Sequence, residues 1–342
     1  MMLSRLIQLS IALAFIVILM GAYTRLADAG LGCPDWPGCY GHLSVPTQAH
    51  ELEKAQTHFP GMEVEPEKAW LEMIHRYLAG SLGVLVLIIL ISCLRTPNAP
   101  KKLAIFIAAL IIFQALLGMW TVTMKLMPIV VMSHLLGGFS LISLLVILLL
   151  RVKHNPELIH SSNPVFLGKL ALSALIVLIF QIMLGGWTSS NYAALACTSL
   201  PFCQGDWLNN LKFANAFSPF QGEHLSFEYG VLDYATRMTI HVTHRIWAIV
   251  TAIALLWLSI KLLQTKVNRL QTSAKIMLCL LLVQLGLGIS NIVFHLPLGV
   301  AVAHNGGAAL LLLSVVYINY AIWQQNCPKS SMLHNNKKRN LL

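Results

Sequence analysis

Along this chain, polar residues gather in blocks between long runs of apolar ones. Eight runs stand out, at about 6–26, 72–94, 103–124, 129–150, 167–189, 235–262, 276–295 and 299–323. A helix that crosses a bilayer needs roughly 20 mostly apolar residues, so the pattern predicts eight membrane helices. Two of the intervening polar segments are long, 27–71 and 190–234, and two are very short, 125–128 and 296–298. The first run is too long, and too well joined to the repeat described below, to read as a cleaved signal peptide.

Composition agrees with a membrane protein. Apolar residues make up 57% of the 342 and charged residues 11%, values typical of integral membrane chains. A net charge of +10 would fit nucleic acid, but its placement does not. Arg5, Arg95, Lys101, Lys102, Arg151, Lys153, Lys169, Lys261, Lys266, Arg269, Lys275 and the tail residues Lys329, Lys337, Lys338 and Arg339 all fall on one side of the predicted spans. By the positive-inside rule that side is cytoplasmic, both termini included. The long segments then face outward, where an oxidising exterior favours disulfides within Cys33/Cys39 and Cys197/Cys203. Cys93, Cys279 and Cys327 are single and read as packing or inert thiols.

The two halves of the chain repeat. Gly21-Ala22-Tyr23-Thr24 returns as Gly185-Gly186-Trp187-Thr188, and Cys33/Cys39 returns as Cys197/Cys203. Each half carries an even number of spans, so the repeat is parallel. The predicted architecture is all-α: two four-helix bundles related by a pseudo-twofold axis along the membrane normal. The N-terminal bundle covers 1–150, a cytoplasmic linker 151–166, the C-terminal bundle 167–325 and a basic cytoplasmic tail 326–342. A weaker repeat lies inside each half. The segments opening at Val17, Gln114, Gln181 and Gln284 each have a glycine four residues on, at Gly21, Gly118, Gly185 and Gly288. Glycine there permits close approach of a helix or of a flat ligand; taken singly, each also fits ordinary tight packing.

Histidines inside spans carry the chemistry, because an imidazole in hydrocarbon without a partner is costly. His75-Arg76 is followed by His134, and His244-Arg245 by His304, at spacings of 59 and 60 residues. All four fall at a similar depth near the outer ends of their helices. Two imidazoles facing each other at one depth can hold a haem iron from both sides; a single one would read equally well as an interhelical contact. Gly137-Gly138 and Gly306-Gly307 follow within a turn and leave room for a macrocycle. Arg76 and Arg245 suit haem propionates, since a guanidinium forks a carboxylate, or else snorkel to the interface. His241-x-x-His244 is spaced for zinc or copper but has no evident third ligand.

The halves also differ. Where the second reads His241-Val-Thr-His244-Arg245, the first reads Glu72-Met-Ile-His75-Arg76. Glu72 therefore lies one turn from His75 on the same face, placed to relay protons or stabilise developing positive charge. The alternative is a glutamate at a helix N-terminus, favoured by the macrodipole. Arg25 has Ser189 as its counterpart.

At these residues the chain resembles the haem A synthase family, membrane enzymes that convert haem O to haem A for terminal oxidases. The resemblance covers about 5–325 and rests on Gly21-Ala22-Tyr23-Thr24-Arg25-Leu26 leading into the Cys33/Cys39 loop, Glu72-x-x-His75-Arg76, His134-x-x-Gly137-Gly138, His244-Arg245 and His304-x-x-Gly307. It implies oxidation of a porphyrin methyl to a formyl group through a hydroxylated intermediate. It places substrate haem O on His75 and His134 in the first bundle, with Glu72 as the catalytic carboxylate. A cofactor haem b falls to His244 and His304 in the second. His244 is preferred over His241 because its arginine and its spacing copy the first half. Cys33/Cys39 resembles a pair thought to act in redox or haem handling, and Cys197/Cys203 a structural one.

The resemblance also implies a bacterial plasma membrane, haem O synthase as supplier of substrate, and oxidase assembly factors as looser partners. The electron donor and oxygen source are not identified, a homo-oligomer stays open, and nucleic acid is not expected. The rival readings are a dihaem bis-histidine cytochrome b that only moves electrons, which the Glu72/His241 difference disfavours, and a transporter, for which the spans lack midplane charges.

Overall fold

The computed structural model describes residues 2–153 and 164–326. Most of the predicted linker, with Pro156, and all of the predicted tail after Asn326, with Cys327, lie outside the described residues. Helices α1 (Met2–Leu26), α3 (Pro66–Arg95), α4 (Lys101–Thr123), α5 (Pro128–Lys153), α6 (Pro164–Ser190), α8 (Tyr234–Leu263), α9 (Asn268–Val293) and α10 (Leu298–Asn326) form the body. All eight are long and apolar enough to cross a membrane, and no strand is present among the described residues. The protein is an all-α, multi-pass membrane protein. Two shorter helices, α2 (Ala49–His58) and α7 (Phe213–Ala216), lie in the long loops, where hydropathy alone does not predict them.

Proline sets several helix starts. Pro66, Pro128 and Pro164 each open a helix, where a missing N–H costs nothing and a fixed φ is already helical. Inside the spans, hydroxyls donate to carbonyls one turn back, as Ser10 does to Leu6 at 3.0 Å and Ser259 to Leu255 at 2.8 Å. Such bonds keep these hydroxyls from standing bare in hydrocarbon. Large side chains such as Ile112, Ile253 and Leu282 point outward and stay exposed, as a lipid-facing surface requires.

Within the first half, α1 packs on α3 and α5, and α4 packs on the same two helices. The second half copies this: α6 packs on α8 and α10, and α9 on the same two. The halves meet through α1 on α10, α5 on α6 and α5 on α10. Exchanging the halves maps this set of contacts onto itself. Each bundle has its own core, around Ile89, Ile107 and Ile142 in the first and around Leu255, Met277 and Val315 in the second.

The quarter repeat is visible in how helices end. After α1 and α6 the chain turns through Asp28 (φ 50°) and Tyr192 (φ 52°), and the N–H of Ala29 and of Ala193 closes back on Thr24 and Thr188, both at 2.9 Å. After α4 and α9 it turns through Lys125-Leu126 and His295-Leu296, all at positive φ, with Leu126 and Leu296 closing on Thr121 and Asn291 at 2.8 and 2.7 Å. These six-to-one bonds satisfy terminal carbonyls in the manner of a Schellman cap, without glycine.

One sequence alternative falls away. α3 begins at Pro66 rather than near residue 72, and Glu67 occupies its first turn. Glu72 is therefore the seventh helical residue, beyond the reach of the macrodipole. Of the single cysteines, Cys93 is buried, which fits a packing role, and Cys279 is exposed on α9, which leaves the inert thiol of the two expected readings.

Candidate functional site

Four imidazoles occupy the end of the two bundles that carries the long loops, each against a glycine of the preceding membrane helix. A Cβ on Gly21 would lie 2.8 Å from the His75 ring, on Gly118 3.5 Å from His134, on Gly185 3.2 Å from His244 and on Gly288 3.3 Å from His304. The glycines open the space in which these rings stand. Main chain four residues earlier lies beside three of them, at Val17 for His75, Gln114 for His134 and Gln284 for His304. The Nδ1 atoms of His75, His134 and His304 are covered and have no hydrogen-bond partner. The rings themselves are only half-buried, so in His75 and His134 the open surface lies on the Nε2 side.

His75 on α3 and His134 on α5 face each other across the first bundle. Their ring centres are 6.4 Å apart and their planes 83° apart. Two imidazole nitrogens bonded to one metal from opposite sides, each at about 2 Å, put ring centres roughly 6 Å apart. The pair has the spacing of axial ligands. His244 on α8 and His304 on α10 are neighbours in the second bundle, with Gln181 Nε2 at 3.2 Å from His244 Nδ1 and Gln284 Nε2 at 3.4 Å from His304 Nε2.

His241 sits differently from His244. It is 4% exposed, and its ring lies beside the Ala193 main chain at the start of the 190–234 loop. In the first half Glu72 takes the corresponding place, with its carboxylate against the base of the 27–65 loop. Packing on α6 thus puts His244 where α1 puts His75, and leaves His241 to the loop. Among the described residues no three His, Cys, Asp or Glu side chains come together as a metal-ligand cluster.

Glu72 is 5% exposed and fully engaged. Its Oε2 accepts the Cys33 N–H at 2.9 Å, the Gly32 N–H lies beside the carboxylate, and Oε1 pairs with the Arg76 guanidinium. Arg76 in turn donates to the carbonyls of Pro37 and Gly38. The two side chains clasp the Cys33–Cys39 loop at both ends, and those cysteines are disulfide-bonded. Gly32 makes this contact possible, since a Cβ there would meet the Lys68 main chain at 2.6 Å. Arg245 grips the second disulfide loop, Cys197–Cys203, through the carbonyls of Cys197 and Ser199.

Beyond the propionate role expected from the sequence, the structure gives both guanidiniums loop carbonyls as partners, and Arg76 also Glu72. The signal was present in the sequence, because each arginine repeats with its own cysteine loop. Arg25, by contrast, reaches the other half: its Nη2 donates to the Ser189 carbonyl at 2.9 Å, and its guanidinium lies 4.0 Å over the Tyr192 ring.

Comparison with known proteins follows the same residues. Residues 4–316 match the model of the cytochrome oxidase assembly protein family COX15-CtaA. The chain is 62% identical over 330 residues to a protein of Shewanella oneidensis named "Heme A synthase", covering 96% of this chain and 99% of that one. It is 27% identical to one of the same name from Caulobacter vibrioides, over 88% of this chain and 90% of that one. A third, from Nitrosospira multiformis, is 24% identical over 92% and 91%.

Proposed function

The chain belongs to the haem A synthase family, and from that premise we propose a division of labour between its two bundles. The enzyme converts haem O to haem A, oxidising a porphyrin methyl group to a formyl group for terminal oxidases. The first bundle takes haem O as substrate, with His75 and His134 as the residues that would hold its iron and Glu72 as the catalytic carboxylate. The second holds haem b on His244 and His304; when bound there, it supplies one-electron transfer. The two bundles are read as parallel, pseudo-twofold-related domains, 1–150 and 167–325. The observation that carries this reading is the His75–His134 pair, 6.4 Å apart, with a buried carboxylate one turn away on one side only.

The protein's own groups do the following. His75 and His134 orient the substrate by its metal, and Gly21 and Gly118 keep the approach to both rings clear. Glu72 is held at a fixed place beside His75, because the Cys33 N–H and the Arg76 guanidinium bond its carboxylate and the Gly32 N–H lies beside it. A preorganised carboxylate there stabilises positive charge developing on the substrate or takes up a proton from it. Arg76 positions Glu72 and ties it to the Cys33–Cys39 loop, so a change in that disulfide reaches the carboxylate directly. Cys197–Cys203, held by Arg245, is structural.

Placement in the cell follows from charge and sulfur. The disulfide loops face the oxidising side of a bacterial plasma membrane and both termini lie in the cytoplasm. Haem O synthase supplies the substrate, and oxidase assembly factors take the product.

The test is haem extraction from the purified protein, chromatography of haems B, O and A, and a reduced-minus-oxidised spectrum. Haem B together with haem O, haem A or a hydroxylated intermediate supports the reading. Two fully reducible haem B per chain would replace it with an electron-transfer cytochrome, and no haem at all would return the histidines to packing.

A further inference from the structure

An apolar groove of about 290 Å³ lies beside the second histidine of the first bundle. Leu117 and Trp120 of α4 line it with Ile129 and Ser133 of α5, and Met124 and Met127 come from the turn between the two helices. The Ser133 hydroxyl is spent on the Ile129 carbonyl at 2.7 Å, so a ligand would meet little but apolar surface. The groove adjoins the histidine pair. Ser133 precedes His134, and Leu117 precedes Gly118, the glycine that faces the His134 ring.

One further lining side chain comes from the other half. Phe220 of the 190–234 loop stands at the groove with 75% of its surface exposed. The segment that carries it is fastened on both sides. The Trp187 indole donates to the Ala216 carbonyl at 2.7 Å, Gln221 donates to Asn191 Oδ1 at 2.6 Å, and the Phe227 N–H donates to the Lys125 carbonyl at 3.0 Å. A phenyl ring is thus held in place with most of its surface unpacked.

The internal repeat supplies a contrast. In the register that pairs Gly118 with Gly288 and His134 with His304, Leu117 and Met124 keep apolar bulk as Leu287 and Phe294. Trp120, Met127 and Ile129 correspond instead to Ser290, Pro297 and Gly299. A Cβ added at Gly299 would meet nothing within 4 Å. The bulk that shapes the groove belongs to the first bundle.

We propose that this groove is the subsite for the isoprenoid chain of haem O, with Trp120, Met124 and Phe220 as residues that tell haem O from haem B. The inference rests on the reading of the first bundle as the substrate site. Haem O bears a long branched isoprenoid chain where haem B has a vinyl group, and the two present the same iron and the same propionates. Histidines and arginines cannot distinguish them, so selection has to be made on the chain. Beside a membrane the alternative surroundings of that chain are lipid, and the gain on entering the groove is close packing. Methionine thioethers adapt to an irregular apolar shape, and the Trp120 ring is braced edge-on by Phe113 at 6.4 Å. On the same reading the haem of the second bundle has no such chain, and there Ser290, Pro297 and Gly299 supply no matching bulk.

The experiment titrates haem O and haem B separately into the purified full-length protein carrying His244→Ala, in bilayer discs of phosphatidylethanolamine and phosphatidylglycerol. In that background the first bundle is the site that remains, and the Soret band reads both dissociation constants. With the groove unaltered, haem O binds at least about tenfold tighter than haem B. Trp120→Ser, which installs the residue of the second half, lowers that preference by about tenfold through weaker haem O binding, and haem B stays within about twofold. The double variant Met124→Ala/Phe220→Ala does the same. Its two positions are 45% and 75% exposed, so it decides alone should Trp120→Ser not fold. A preference unchanged within about twofold would mean that lipid chains simply cover the groove, and overturns the proposal. Equal weakening of both haems would mean a structural role only, and overturns it too. His75→Ala separates the underlying reading: haem O binding that ignores this change overturns the first bundle as substrate site. Haem O bound through His75 but without preference over haem B overturns the groove alone.

Discussion

Arg25 and Ser189 are counterparts in the two halves of the chain, and the guanidinium of Arg25 donates to the carbonyl of Ser189 at 2.9 Å. One half thus places a charge where the other leaves a helix-terminal carbonyl to receive it. The contact joins the C-terminal ends of α1 and α6, beside the turn at Tyr192, whose ring lies under the same guanidinium. Hydrogen bonds to a charged donor contribute about 1.5–3 kcal/mol when little exposed, and the Arg25 side chain is 14% exposed. The nearby Asp28 pair, at 3.9 Å and 40% exposed on the acidic side, adds little. Arg25→Ala is expected to destabilise the protein by roughly 2 kcal/mol while both haem sites stay loaded, checked by thermal unfolding and haem content in detergent.

Gly21→Ala tests the clearance of the first site. A Cβ at 2.8 Å from His75 displaces the ring, which can move more easily than the helix. The expected result is loss of haem O and haem A from the preparation with haem B retained and folding intact. Gly83→Ala, where the added carbon meets nothing within 4 Å, leaves haem content unchanged.

Glu72→Ala is expected to keep both haem sites and to lower formyl production by at least about 100-fold, the scale of a lost acid–base or electrostatic group. Chromatography of the haems made in cells lacking their own haem A synthase reads the outcome. Full formyl production by this variant would remove Glu72 from the mechanism.

Arg76→Ala leaves the Glu72 carboxylate buried without its cation. Both side chains of this pair are near one-tenth exposed, and breaking a buried pair costs about 3–5 kcal/mol. The variant is expected to lose turnover nearly as far as Glu72→Ala, and its Cys33–Cys39 bond to be reduced and alkylated faster than Cys197–Cys203, measured by mass spectrometry after mild thiol treatment.

Asp233 caps α8, accepting the Thr236 N–H at 2.8 Å and the Lys212 ammonium at 2.9 Å. The main-chain bond and the lysine hold its carboxyl at about 2, below the ordinary 3.8. A depressed carboxyl stabilises the fold above its unfolded value and loses that contribution as pH falls toward the folded one. Asp233→Ala is expected to lower Tm at pH 7, with the difference from the unaltered protein shrinking as pH falls from about 4 to 2, followed by thermal unfolding across that range.

Much of the fold could be read without coordinates. Hydrocarbon imposes a length and a composition on any helix that crosses it, and the eight runs met both. The internal repeat was legible as well: Gly21 and Gly185, or His75 and His244, recur in order, and the matching turns at Asp28, Lys125, Tyr192 and His295 follow from it. The four histidines stood out because polar rings are expensive in such a setting. Helix starts were less clear, since the polar first turns of α3 carry no apolar signal, and so a helix-terminal glutamate stood as the alternative reading of Glu72.

Tertiary structure decided what each polar group meets. His241 and His244 are three residues apart and share a helix face; only the packing of α8 against Gly185 on one side and Ala193 on the other separates them. The same holds for Arg76 and Arg245, whose partners are carbonyls of distant loops, and for Glu72, whose donors Gly32 and Cys33 lie about forty residues away. A one-dimensional pattern records which side chains are costly to bury. Only the folded chain, by bringing distant main chain within about 3 Å, determines what satisfies them.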